Sequence, residues 1–237
     1  MPNIFITGDR HGDYTDIILF CERFKTTKAD TMIVLGDNGV NFFKGARDKY
    51  LKEKLQNLPI TFIMLRGNHD IRPSDIDSYQ EKLIINKSFS GMFYVDDKYP
   101  DLLFTSEGYY SFKVNNEYKT AYIINGAYSV DKYYRLASNG RWFPNEQLSQ
   151  EEMTGVEKEL LNHKVSYIFS HTCPLKYEPH EVFLSYVDQS KVDKTMETWL
   201  DKIEDGTKYN DWYCGHWHIN KRIDKMHFLY DSIELLE

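Results

Sequence analysis

Five short apolar runs in this 237-residue chain each end close to a side chain that can ligate a metal ion: 4–6 before Asp9, 31–35 before Asp37, 60–65 before Asn68, 165–169 before His171 and 211–214 before His216. Two further histidines, His11 and His218, stand two positions after Asp9 and His216, a spacing that puts both on one face of a strand or lets a loop fold round one ion. Two aspartates, an asparagine and four histidines form a mixed oxygen and nitrogen set. It suits Mn, Fe, Zn, Ni or Co better than an all-oxygen calcium cage. Seven ligands are too many for one catalytic ion, but they fit two if one carboxylate gives an oxygen to each, and Asp37 is assigned as that bridge. Two ions about 3.5 to 4 Å apart lower the pKa of a shared water and stabilise an in-line displacement at phosphorus, so a metal-bridging hydroxide is expected as nucleophile. His69, next to Asn68, is placed to protonate the leaving oxygen as general acid, with Asp70 as its orienting partner. Arg10, between the first two ligands, is assigned to the substrate phosphate because a guanidinium offers a planar fork to oxyanions. Arg135 and Asn68 are placed on the same substrate side, and Arg66 and Arg141 are further candidates. Read alone, Asp9 or Asp37 after a strand would be a turn or cap residue.

These side chains meet only if strands bring them together. Apolar runs at 4–6, 31–35 and 60–65 alternate with helical spacing at 15–24 and about 46–55, which predicts a largely parallel sheet covered by helices. Ligands in such sheets gather at the carboxyl ends of the strands, where all five blocks stand. Residues 110–114 and 118–124 around Asn115-Asn116 predict an antiparallel hairpin. Ser149 followed by Glu152 predicts a capping box opening a helix to about residue 162, and 226–236 reads as strand. Glycine at positions 8, 12, 36, 39, 67 and 215 flanks the ligand blocks. No linker, repeat or low-complexity tract divides the chain, so one domain over 1–237 is expected.

The blocks Gly8-Asp9-Arg10-His11-Gly12, Gly36-Asp37, Gly67-Asn68-His69-Asp70, Ser170-His171 and Gly215-His216-Trp217-His218 resemble, in order and spacing, the five motifs of the calcineurin-like metallophosphoesterases. That resemblance implies an α/β fold: a two-sheet β-sandwich core flanked by α-helices in α-β-β-α layers. It also implies that Asp9, His11, Asp37 and His218 hold one ion, that Asp37, Asn68, His171 and His216 hold the other, and that His69 is the acid. The phosphoprotein phosphatase branch has Gly-Asp-x-Val-Asp-Arg-Gly at the second block, whereas here Asp37 is followed by Asn38-Gly39-Val40-Asn41, without that carboxylate and arginine. Residues 126–131 and 141–144 look like a bacterial and phage serine/threonine-phosphatase-like branch.

The remaining composition bounds the partners. A formal charge of -7 lacks the basic stripe of a duplex nucleic-acid binder. No apolar run approaches the roughly 20 residues of a membrane span, and a cytoplasmic protein is expected. Cys21, Cys173 and Cys214 form no Cys-x-x-Cys pair and read as reduced, buried thiols, with zinc ligation by the latter two as the alternative. The expected substrate is a phosphorylated small molecule or a phosphoprotein, cleaved as a monoester. The alternatives are a diesterase acting on cyclic nucleotides, dinucleotides or single-stranded nucleic acid, and a non-catalytic module on the same fold. A P-loop is excluded because the chain lacks Gly-x-x-x-x-Gly-Lys-Ser/Thr.

Overall fold

The computed structural model describes residues 2–43 and 45–237. Its first part is built from β1 (Ile4–Thr7), α1 (Thr15–Phe24), β2 (Thr31–Val34), α2 (Ala46–Gln56) and β3 (Thr61–Met64). Five strands follow, paired antiparallel with one another: β4 (Tyr79–Ile85), β5 (Phe89–Asp96), β6 (Leu102–Thr105), β7 (Gly108–Val114) and β8 (Glu117–Ile124), of which β6 also pairs parallel with β3 and β8 parallel with β9. The remainder comprises α3 (Lys132–Ala137), α4 (Gln150–Leu160), β9 (Tyr167–Ser170), α5 (Thr195–Gly206), β10 (Asp211–Cys214), β11 (Lys221–Ile223), β12 (Met226–Phe228) and β13 (Ile233–Leu235).

Alternation along the buried strands creates four layers. Ile4, Ile6, Ile33 and Ile63 point inward and meet Phe112, Ile123, Phe169 and Tyr213 from the opposite half of the sheet. The intervening Phe5, Met32, Val34, Phe62 and Met64 face outward onto Ile17 and Cys21 of α1 and Leu51 and Leu55 of α2. On the other side, Tyr122, Ile124, Ile168 and Trp212 face Met153, Val156 and Leu160 of α4 and Met196, Leu200 and Ile203 of α5. Four-residue strands buried on both faces are what parallel sheets under helices require, and each fully buried Ile or Phe contributes roughly 1.5–3 kcal/mol. The arrangement is the α-β-β-α order expected, with one physical difference. The facing layers are halves of one hydrogen-bonded sheet, because β5 pairs with β6 through Phe93 and Tyr94 and with β7 through Phe89 and Ser90.

The β7–β8 hairpin closes through Asn115 and Asn116, both at positive φ (50° and 67°), as a two-residue turn with the right twist demands. Ser149 and Glu152 form the capping box at the start of α4. The tail is split: β12 pairs with β10, β13 pairs with β1, and the chain between them crosses from one half of the sheet to the other. Strands β4 to β6 and β11 and helices α3 and α5 lie outside the elements expected from sequence. Among the described residues strand β4 pairs only with β5, and its sequence, Tyr-Gln-Glu-Lys-Leu-Ile-Ile, does not alternate apolar with polar. Helix α3 buries no residue at all. Among the described residues, no helix is long and apolar enough to cross a membrane.

Candidate metal centre

Parallel pairing aligns β1, β2 and β3 in one half and β8, β9 and β10 in the other. Their carboxyl ends open on one rim, and the loops leaving them bring Asp9, His11, Asp37, Asn68, His171, His216 and His218 together. His11 Nε2 lies 3.0 Å from His218 Nε2, which lies 3.1 Å from Asp9 Oδ2. Asp37 stands between two groups, with Oδ2 3.8 Å from His11 Nε2 and Oδ1 3.6 Å from His171 Nε2. The His171 ring packs 5.0 Å from the His216 ring. Ligand atoms of Asp9, His11 and His218, and again of Asp9, Asp37 and His171, all fall within 4.8 Å of one another.

The loops are bent sharply to achieve this. His11, Asp37, His216 and His218 all have positive φ (47°, 47°, 67° and 50°), a region that costs a residue with a Cβ roughly 1–2 kcal/mol. Such strain concentrated on polar residues in a cleft marks a functional site. Glycine is required where the ligands pack against backbone: a Cβ on Gly67 would lie 2.0 Å from Asp37 Oδ1, and one on Gly36 would lie 2.2 Å from His171 Nδ1.

The hydrogen bonds leave lone pairs pointing at lone pairs. The Leu35 carbonyl accepts from His171 Nδ1 at 2.7 Å, so the proton sits on Nδ1 and Nε2 presents its lone pair. That lone pair faces Asn68 Oδ1 at 2.9 Å. The amide is oriented from behind: Asn68 Nδ2 donates to Ser129 Oγ at 2.9 Å, and Ser129 Oγ donates to Glu146 at 2.5 Å. Asp9 Oδ2 is buried without an aligned hydrogen-bond donor. Acceptors converging in this way repel one another unless cations lie among them, so the donor set fits the expected ions.

Charge tells the same story. Burial, followed by the neighbouring charges of Asp9 and Asp70, pushes the Asp37 carboxyl well above its ordinary value. Burial also raises Asp9, but the His218 imidazole 3.1 Å away and the charges of His171 and His11 outweigh it, and the carboxyl is held below the usual range. Burial drives His171, His216 and His11 down, so these imidazoles are neutral and ready to ligate. Burial and then the Arg135 guanidinium push His69 down to about 3.

Arg10 does not face the centre. Its buried guanidinium is engaged by the Asp16 carboxylate, Thr7 Oγ1 and the Gly8 and Tyr230 carbonyls, which ties β1 to the crossing tail. Asp70 does not touch the His69 imidazole. It accepts from the backbone N–H of Asn38 (3.1 Å) and Gly67 (2.9 Å) and so fastens the loop after β3 to the loop after β2. Arg135 does reach the centre: Asp131 holds it at 2.7 Å, and its Nη2 lies 3.4 Å from His69 Nε2. Arg66 is spent on the Glu146 carbonyl (2.6 Å), and Arg141 on the Asn41 carbonyl (3.2 Å). Cys21, Cys173 and Cys214 are buried free thiols. Ser129 and Glu146 were not legible as site residues. Their only signal in sequence was the likeness of the surrounding stretch, which says nothing of which side chain they hold.

The candidate ligands His11, Asp37, Asn68, His216 and His218 line a cavity of about 580 Å³ that also touches His69 and Arg135. Its far wall is apolar, built by Val182, Phe183, Leu184 and Tyr186, with Trp217 stacked on Phe183 at 5.6 Å. No curated protein matches the chain. The model of the calcineurin-like phosphoesterases matches residues 2–220, which takes in every block from the first strand to the His216/His218 pair. This chain therefore belongs to the calcineurin-like phosphoesterase family, whose members are metal-dependent phosphoester hydrolases with a dinuclear metal centre.

Proposed function

We propose that the chain hydrolyses phosphate monoesters, of a small molecule or a phosphoprotein, with two ions held by Asp9, His11, Asp37 and His218 and by Asp37, Asn68, His171 and His216. The observation that carries this reading is Asp37, whose two carboxylate oxygens turn towards separate histidines, His11 and His171, at 3.8 and 3.6 Å. When bound, the ions polarise the phosphoryl group and activate water, with manganese the first ion to test. The protein's own side chains do the rest. Arg135, anchored by Asp131, orients the phosphate and helps neutralise its charge. His69 is neutral in the free protein, because burial and Arg135 depress its pKa, and an arriving phosphate raises it again, so that it takes up a proton from solvent with the substrate and passes it to the leaving oxygen. The apolar wall excludes water and receives the organic part of the substrate.

The continuation of the cavity lining past the candidate ligands to Phe183 and Leu184 supports a second reading, a phosphodiesterase whose second ester arm lies along these two residues. The bacterial and phage branch is the affiliation that residues 126–131 and 141–144 support. Metal analysis combined with assays on p-nitrophenyl phosphate and its bis-ester, each with added manganese, tests these readings. Two ions per chain and a preference for the monoester are expected, with Asp37→Asn losing several orders of magnitude in rate. A preference for the bis-ester selects the second reading, and wild-type rates in Asp37→Asn refute both.

A further inference from the structure

The amide of Asn68 can face the centre with either end, because its oxygen and NH2 are nearly the same size and only their hydrogen-bond partners choose between them. We propose that Glu146 is a positioning residue that makes this choice through Ser129, so that the oxygen of Asn68 is turned to meet an ion beside His171.

With Glu146 as a carboxylate, the geometry allows one proton order. Glu146 and Ser129 are both buried, and the Glu146 carboxylate takes both of Ser129's donors, the backbone N–H at 3.0 Å and the hydroxyl at 2.5 Å. A hydroxyl has one hydrogen. Once Ser129 Oγ has given it to Glu146, the oxygen can only accept, and what it accepts is Asn68 Nδ2–H at 2.9 Å. Asn68 Oδ1 is then left pointing at His171 Nε2, 2.9 Å away. Glu146 is itself fixed from the same loop: Arg66, two residues before Asn68, donates to the Glu146 carbonyl at 2.6 Å. A closed circuit therefore joins the loop after β3 to residues 129 and 146, and in it Glu146 stands behind Ser129, away from the cavity that His69 and Asn68 line.

The proposal rests on the reading that Asn68 and His171 hold one of the two ions. Partners behind a ligand typically set ion affinity by about 10–100-fold. Glu146→Gln is nearly isosteric but can donate from its own amide, which frees the Ser129 hydroxyl to point back at Asn68 Oδ1 and lets the amide turn over. Calorimetric titration of metal-free protein with Mn²⁺ should show one of the two sites weakened about 10–100-fold in Glu146→Gln and in Ser129→Ala, while the other site and the circular dichroism stay as in wild type. A second measurement needs no ion. With ¹⁵N-asparagine labelling, the side-chain NH2 of Asn68, identified by its disappearance in Asn68→Asp, should exchange slowly with solvent in wild type and quickly in Glu146→Gln. Wild-type affinity at both sites in the two variants overturns the proposal, and so does a fast-exchanging Asn68 NH2 in wild type, a result that stands even if a variant does not fold. Failure of wild type to take two ions refutes the metal reading instead, and the exchange data still judge the circuit.

Discussion

His69 and Arg135 sit side by side at the cavity floor, yet they differ in what can be asked of them. His69 Nε2 lies 3.9 Å from Asp37 Oδ2, too far for a hydrogen bond, and Asp70 turns away to the backbone of Asn38 and Gly67. In the proposed reaction its work is confined to the proton on the leaving oxygen. His69→Asn is therefore expected to lower kcat by about 10²–10⁴ on an ester with a basic leaving group and much less on 2,4-dinitrophenyl phosphate, whose departing oxygen scarcely needs a proton. Ion content should be unchanged, and an equal loss on both substrates would rule out the acid role. Where side chains cluster was legible in sequence because each candidate ligand follows a strand of fixed direction. Where a long side chain points was not: Arg10 lies between two candidate ligands but is captured by Asp16 and the Tyr230 carbonyl, 220 residues away.

At the scale of elements, legibility followed local signals. The capping box of α4 and the Asn-Asn hairpin are written in adjacent residues, whereas α5 is held by contacts from distant parts of the chain. Glu197, in the first turn of α5, is buried; its Oε1 accepts from Thr172 Oγ1 at 2.8 Å, and its Oε2 has no hydrogen-bond partner among the described residues. Burial raises its pKa from 4.5 to about 7. Below about pH 4.5 the folded and unfolded chains both hold this proton, and the group has no effect on stability. Between about 4.5 and 7 only the folded chain keeps it, so stability falls as pH rises, by on the order of 3 kcal/mol in all, and stays reduced above 7. Glu197→Gln should remove this contribution. In urea titrations from pH 5 to 8 the variant should gain on wild type as pH rises, and parallel pH profiles for the two proteins would show that the carboxyl ionises normally.

The whole molecule is one sheet bent until its halves face each other, and the candidate ligands are divided between those halves. Asp9, Asp37 and Asn68 follow β1, β2 and β3, while His171 and the His216/His218 pair follow β9 and β10. The curl itself was not legible, because it depends on β5 pairing with both β6 and β7, and no local pattern in residues 79–105 announces a strand shared in that way. It has a thermodynamic consequence. Ions that bind only where both halves meet must stabilise the folded sheet by mass action, by about 2.7 kcal/mol per site at a free concentration 100 times Kd. For a chain of this size one kcal/mol corresponds to roughly 2–4 °C, so the melting temperature of metal-free protein should rise by about 5–10 °C per occupied site on adding manganese and fall back with a chelator. Asp37→Asn should lose most of this rise, because Asp37 is the residue whose two oxygens face both groups of histidines. A melting temperature indifferent to ion and chelator would mean that the halves are not joined through this centre, whatever activity the protein displayed.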